Sequence, residues 1–242
     1  MKRWLLLGSL MCLSSIGALA SPIMCTSGTF QDYIGLPAGG CQFGNATFSN
    51  FVFAYTSSDG TTAASPGKGA ASVSVSPETQ PTPDSDHPGL QFGTANLTPA
   101  IGFFQDYTFT FTVTALPGFN LDDAFLKMTG TFFNGSGSAT TAETLTPSTG
   151  PQTSLNGFFT DTDTTHKTST VTYPTTSSLT VTKDIKLTNT SSTLFDLSAV
   201  SNDFSLLDGS SVPEPVTAAS IGFGLCCLAL NLRKRGKKGL VR

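Results

Sequence analysis

The sequence predicts an all-β chain: a single antiparallel β-sandwich of jelly-roll type, framed by a secretory leader and one C-terminal transmembrane helix. Three observations predict it. Apolar or aromatic residues alternate with threonine in several short runs, giving each run one buried and one wet face. Between the two ends, no stretch carries an apolar i, i+3, i+4, i+7 stripe of helix length. Gly, Pro, Ser, Asn and Asp interrupt the runs at short intervals, as turns do.

The clearest run is 107–113, where Tyr107, Phe109, Phe111 and Val113 are separated by threonines. The same period of two recurs at 48–55, 71–75, 170–173 and 179–181, the last continuing through Ile185 and Leu187. Weaker runs are 126–133 and 194–197. Turn chemistry falls at 57–60, 81–89, 117–118, 134–138 and 148–151. Crossover helices are missing, so antiparallel pairing is expected. The 19 phenylalanines against one tryptophan give enough bulk for a core between two sheets. Threonine suits the solvent face of a strand, so the Ser/Thr-rich composition follows from the architecture. Asn45, Asn96, Asn134 and Asn189 each open a glycosylation triplet, a match that chance supplies easily in such a chain.

Residues 1–20 read as a secretory signal peptide. Lys2 and Arg3 precede a short apolar core from Trp4 to Ile16, and Ala18-Leu19-Ala20 places an A-x-A cleavage site before Ser21. Met11 and Met24, directly before Cys12 and Cys25, argue against a lipoprotein signal. The far end holds Val212, Pro213, Glu214 and Pro215, an apolar run over 216–232, and the basic cluster Arg233, Lys234, Arg235, Lys237 and Lys238. A helix over that run is about 26 Å long, near the lower limit for spanning a hydrocarbon core. The basic cluster acts as a stop-transfer signal and stays cytoplasmic. The two prolines are compatible with an extended, exposed recognition segment and equally with the first turn of a helix. The expected organisation is therefore 1–20 leader, 21–208 ectodomain, 209–215 linker, 216–232 transmembrane helix and 233–242 cytoplasmic tail.

Pro-Glu-Pro, span and basic cluster together resemble the PEP-CTERM sorting signal of bacterial exosortase substrates. That resemblance implies recognition of 213–215 by a membrane-embedded exosortase, with removal of the helix and tail. Residues 25–36 (CTSGTFQDYIGL), Gly39 to Gly44, Phe48 to Phe51 and Val181 to Ile185 resemble phrases from the ectodomains of the same set. These carry no catalytic residues with them.

Charge and cysteine usage sharpen the picture. Over 21–212 there are five lysines against fifteen acids, a net charge of −10, and no arginine. Such a surface repels nucleic acid and anionic lipid. Cys12 belongs to the leader, and Cys226 and Cys227 lie within the span. Cys25 and Cys41 remain, and an oxidising compartment makes their disulfide the expectation, with two buried free thiols as the other reading.

Signs of chemistry are sparse. Asp84, Asp86 and His87, and likewise Asp161, Asp163 and His166, offer oxygen and imidazole groups to a cation, yet neither set has the glycine and distal glutamate of a calcium loop, nor zinc spacing. There is no Gly-x-Ser-x-Gly elbow. Asp106, Asp122, Asp123 and Glu143 supply carboxylates from which no pair is singled out. The expectation is an exported surface or extracellular-matrix protein without catalytic activity or cofactor. Its expected partners are exosortase, the general secretion machinery, the membrane as a transient anchor, and exopolysaccharide. The alternative is a carbohydrate-binding module or adhesin, calcium-assisted, with Tyr33, Tyr55, Phe103 and Phe104 as stacking platforms.

Overall fold

The computed structural model describes residues 22–79, 87–93, 99–132, 136–160, 167–190 and 195–209. In chain order these hold β1 (Ile23–Met24), β2 (Gly28–Thr29), α1 (Phe30–Ile34), β3 (Cys41–Phe43), β4 (Ala46–Ser57), a 3-10 turn (Ala70–Ser72), β5 (Ser74–Thr79), β6 (Pro88–Gly93) and β7 (Phe104–Ala115). There follow β8 (Phe119–Phe132), β9 (Gly137–Pro147), β10 (Thr153–Thr160), β11 (Thr168–Thr176), β12 (Ser178–Asn189) and β13 (Phe195–Asp208). They form a seven-stranded sheet in the order β1-β3-β4-β7-β12-β9-β10 and a six-stranded sheet in the order β11-β8-β13-β6-β5-β2. From β4 onward, the long strands and hairpins fall alternately in the first and the second sheet.

The alternation in the sequence explains which face goes inward. On β7, Gln105, Tyr107, Phe109, Phe111, Val113 and Ala115 are buried, while the intervening threonines are half-exposed. β12, paired along its length with β7, repeats the pattern through Leu179, Val181, Ile185 and Leu187. The second sheet answers with Leu90 and Phe92 on β6, Leu121, Ala124, Leu126 and Met128 on β8, and Val200 and Phe204 on β13. Aromatic contacts cross the gap: Phe92 lies 5.3 Å from Phe109 and 5.8 Å from Phe111, and Phe48 lies 6.4 Å from Phe204. The result is a β-sandwich.

Two features depart from a purely antiparallel, helix-free expectation. The first is α1, only five residues long. Thr29 caps it, accepting from the Asp32 backbone N–H at 3.3 Å, while Asp32 Oδ2 accepts from the Thr29 N–H at 2.8 Å. One turn is too short to write an apolar stripe into the sequence. The second is the parallel pairing of β1 with β3, with Ile23 opposite Cys41 and Met24 opposite Gln42. A parallel pair needs a crossover, and the segment carrying β2 and α1 supplies it. The Cys25–Cys41 disulfide closes this unit, with Cα atoms 4.8 Å apart.

Smaller differences have local causes. The run at 71–75 starts as the 3-10 turn, and the strand begins at Ser74. Pro88 and Gly89, expected in a turn, open β6. Proline is tolerated as a first strand residue. A Cβ on Gly89 would sit 2.1 Å from the Asn202 carbonyl oxygen, so the neighbouring strand requires glycine there. Ser138, also expected in a turn, belongs to β9. Phe133 and Leu194 lie outside the described residues, as do the leader, Val212 to Pro215, the 216–232 span and the basic tail. Among the described residues, no helix is long and apolar enough to cross a membrane.

Candidate functional site

The alternation that buries the aliphatic residues of β12 also turns Lys183 into the core. Glu143 on β9 stands directly opposite it in the ladder, inward by the same rule between Thr141 and Leu145. From the second sheet, Asn202 on β13 points back across the gap, between Val200 and Phe204. All three side chains are fully buried at 0% exposure. Lys183 Nζ donates to Glu143 Oε2 at 2.5 Å, and Asn202 Nδ2 donates to Glu143 Oε1 at 2.6 Å. One carboxyl group thus holds both nitrogens, one from each sheet. The Phe92 ring flanks the cluster, its centroid 5.9 Å from Nζ.

Burial pulls the Lys183 pKa below its ordinary value, with Glu143 and Asp203 pulling the other way. Asn202 Oδ1 accepts no hydrogen bond, and an unpaired buried acceptor costs about 1–3 kcal/mol. Apolar residues of similar volume stabilise a core at least as well as a buried ion pair does. What distinguishes these three side chains is their chemistry rather than their packing.

A second polar cluster lies on the opposite face of β13. Ser201 Oγ donates to Glu78 Oε2 at 2.6 Å, and Gln91 Nε2 donates to Ser201 Oγ at 3.4 Å. Beside them Asp203 is 2% exposed, and neither carboxyl oxygen has a hydrogen-bond partner. Burial, and then the Glu78 charge, push its pKa up to about 8.

The sequence-predicted residues are scattered. Tyr33 is buried, its hydroxyl donating to the Thr26 carbonyl at 2.9 Å, and burial raises its pKa to about 12. Tyr55 packs on Tyr107 with ring centroids 4.8 Å apart, and its hydroxyl is shared with Thr61. Phe104 has Lys186 Nζ over its face at 4.7 Å, whereas Phe103 is 39% exposed. The four rings form no common platform.

The carboxylates do not converge either. Asp106 sits on the outer face of the first sheet, where burial and then the neighbouring Asp184 push its pKa up to about 6. Glu143 faces the opposite way, into the core. Asp122 occupies an irregularity of β8 against β13, next to Asp123. Asp84, Asp86, Asp161, Asp163 and His166 lie outside the described residues. Among the described residues, no three His, Cys, Asp or Glu side chains are grouped to hold a metal. Two clefts beside α1, of about 160 and 190 Å³, are smaller than the ~300–1,000 Å³ of small-molecule pockets.

Reasoning from sequence missed Lys183 and Asn202. The signal was present: both occupy inward positions of period-two runs otherwise filled by apolar residues.

No family model matches the chain, and no curated protein does. Among solved structures it is similar to TmCBM61 in complex with β-1,4-galactotriose, at 8% identity and a TM-score of 0.30, over 64% of this chain and 88% of that one. A tailspike protein 4 domain of bacteriophage CBA120 matches at 12% identity and a TM-score of 0.28, over 65% of this chain and 19% of that one. Carbohydrate-binding modules of the β-sandwich superfamily match at 10% identity and a TM-score of 0.24, over 78% of this chain and 63% of that one. These are distant likenesses, and the fold assignment stands on the strand pairing alone.

Proposed function

We propose that this chain is an exported, non-enzymatic structural protein of a bacterial surface or extracellular matrix, sorted by an exosortase at Val212, Pro213, Glu214 and Pro215. The observation that carries this reading is the Cys25–Cys41 disulfide. It lies just after the expected leader cleavage between Ala20 and Ser21, and such bonds persist in oxidising compartments. The acidic, arginine-free ectodomain supports a soluble matrix role. In this reading the secretion machinery removes 1–20. The 216–232 segment and Arg233, Lys234, Arg235, Lys237 and Lys238 then hold the chain transiently in the inner membrane until processing. The alternation of strands between the sheets supports a jelly-roll-like sandwich.

The test is a triple substitution of Pro213, Glu214 and Pro215 by alanine in a host that possesses an exosortase. The wild-type chain should leave the membrane fraction and the variant should stay in it. Equal release of both would refute the sorting reading.

A carbohydrate-binding surface is the second reading. Phe103 supports it, as the candidate ring that remains exposed and so available to stack on a sugar face. Specific binding on a glycan array, abolished by Phe103→Ala, would replace the structural reading with this one. Arrays run with and without calcium would show whether a cation assists.

A further inference from the structure

We propose that Lys183 and Asn202 join spontaneously in an intramolecular isopeptide bond, with Glu143 as the proton carrier, so that the two sheets are covalently tied through the core. The geometry assembles the parts of an acyl transfer. Lys183 Nζ is the nucleophile and the Asn202 side-chain amide is the acyl group. Glu143 contacts the nitrogen that attacks through Oε2 and the nitrogen that leaves through Oε1, at 2.5 and 2.6 Å. A single carboxyl group is therefore placed to pass a proton from one to the other.

The enclosure favours the reactive state. With 0% exposure at all three residues and the Phe92 ring against the amine, burial favours the neutral, nucleophilic form of the Lys183 amine. Exclusion of water also keeps hydrolysis from competing. Each partner is fixed on a strand paired on both sides within its own sheet, which holds the reactants at high effective concentration.

The step balances without oxidant or reductant. The neutral Nζ attacks Cγ of Asn202, forming the Nζ–Cγ bond. Glu143 relays one proton from Nζ to Nδ2. The Cγ–Nδ2 bond breaks, ammonia leaves, and Glu143 ends in the state in which it began. The reaction happens once per chain, which sets it apart from enzymatic turnover, and it does not depend on how the protein is exported.

Peptide mapping of the full chain decides the matter. The protein is purified folded, then denatured, reduced and digested with trypsin. The expected product is the segment 168–186, uncleaved at Lys183, joined to the peptide that begins at Leu187 and lighter by one ammonia. Asn202→Asp should give a joined product of identical mass, because water leaves in place of ammonia. Glu143→Gln should slow joining by about 10²–10⁴-fold, the contribution of a positioned acid–base group. Quantitative cleavage after Lys183 in the wild-type chain would overturn the proposal, whatever the variants do. Joining in Glu143→Gln at the wild-type rate would overturn the role given to Glu143.

Discussion

Phe30 tests whether α1 is part of the core or an ornament on it. Its ring is fully buried and touches both sheets: Phe51 at 5.8 Å and Phe109 at 5.0 Å, both edge-on, Phe53 at 6.0 Å, and Phe92 of the second sheet at 6.0 Å. Phe30→Ala removes the ring and leaves a void that neither sheet can close without shifting, because its lining comes from three different strands. Buried Phe→Ala changes cost about 3–5 kcal/mol, and the loss of well-oriented ring pairs places this one toward the upper end. For a domain of this size each kcal/mol corresponds to about 2–4 °C in Tm, so the expected fall is roughly 8–20 °C. The assay is urea denaturation followed by circular dichroism, with the disulfide intact in both proteins. Gln31→Ala, exposed on the same turn, serves as the control and should change stability by less than about 0.5 kcal/mol. A loss below about 1 kcal/mol for Phe30→Ala would refute the packing described for α1.

Three further outcomes rest on the same fold. Gly89→Ala drives a Cβ to 2.1 Å from both the Asn202 carbonyl oxygen and Asp203 Oδ1; a thermal melt should show about 1–3 kcal/mol of destabilisation from overpacking. Replacing Cys25 and Cys41 together by serine opens a loop with a sequence separation of 16, which should cost about 3 kcal/mol and roughly 6–12 °C in Tm. Asp203 concerns pH: its folded pKa of about 8 stands above the ordinary 3.8, so the folded state binds the proton more tightly. Its contribution to stability is full below about pH 4 and is lost as pH rises through about 8. Asp203→Asn should remove that loss, so its Tm relative to wild type should rise from pH 5 to pH 9.

The central strands were legible because their physics is local. In β7 the residues Tyr107, Phe109, Phe111 and Val113 each declare the inner face, and threonine declares the outer one. β9 and β10 were not legible. Their inward positions include Ala139, Thr141, Glu143 and Gly157, which carry little apolar signal; β9 is a strand because β12 offers it a partner, and β10 because β9 does. The helix α1 escaped notice because one capped turn has no period to detect. Cys25 and Cys41 could be paired from compartment and count, while the parallel β1–β3 contact beside them depends on a crossover that only the fold reveals.

The buried cluster is the most instructive omission. Leu179, Val181, Ile185 and Leu187 share one face, and Lys183 stands in the same register. A charged residue in that position is either a break in the strand or a group kept for its reactivity. Deciding between them requires Glu143 from the next strand and Asn202 from the other sheet, which lie 40 and 19 positions away in the chain. No local pattern joins them.

The measurement that tests the central claim most directly is the intact mass of the mature protein made by cells that possess an exosortase. Export and sorting predict a chain that begins at Ser21 and has lost residues 216–242. Retention of 216–242 by the mature protein in those cells would contradict it and leave the tail as a plain membrane anchor.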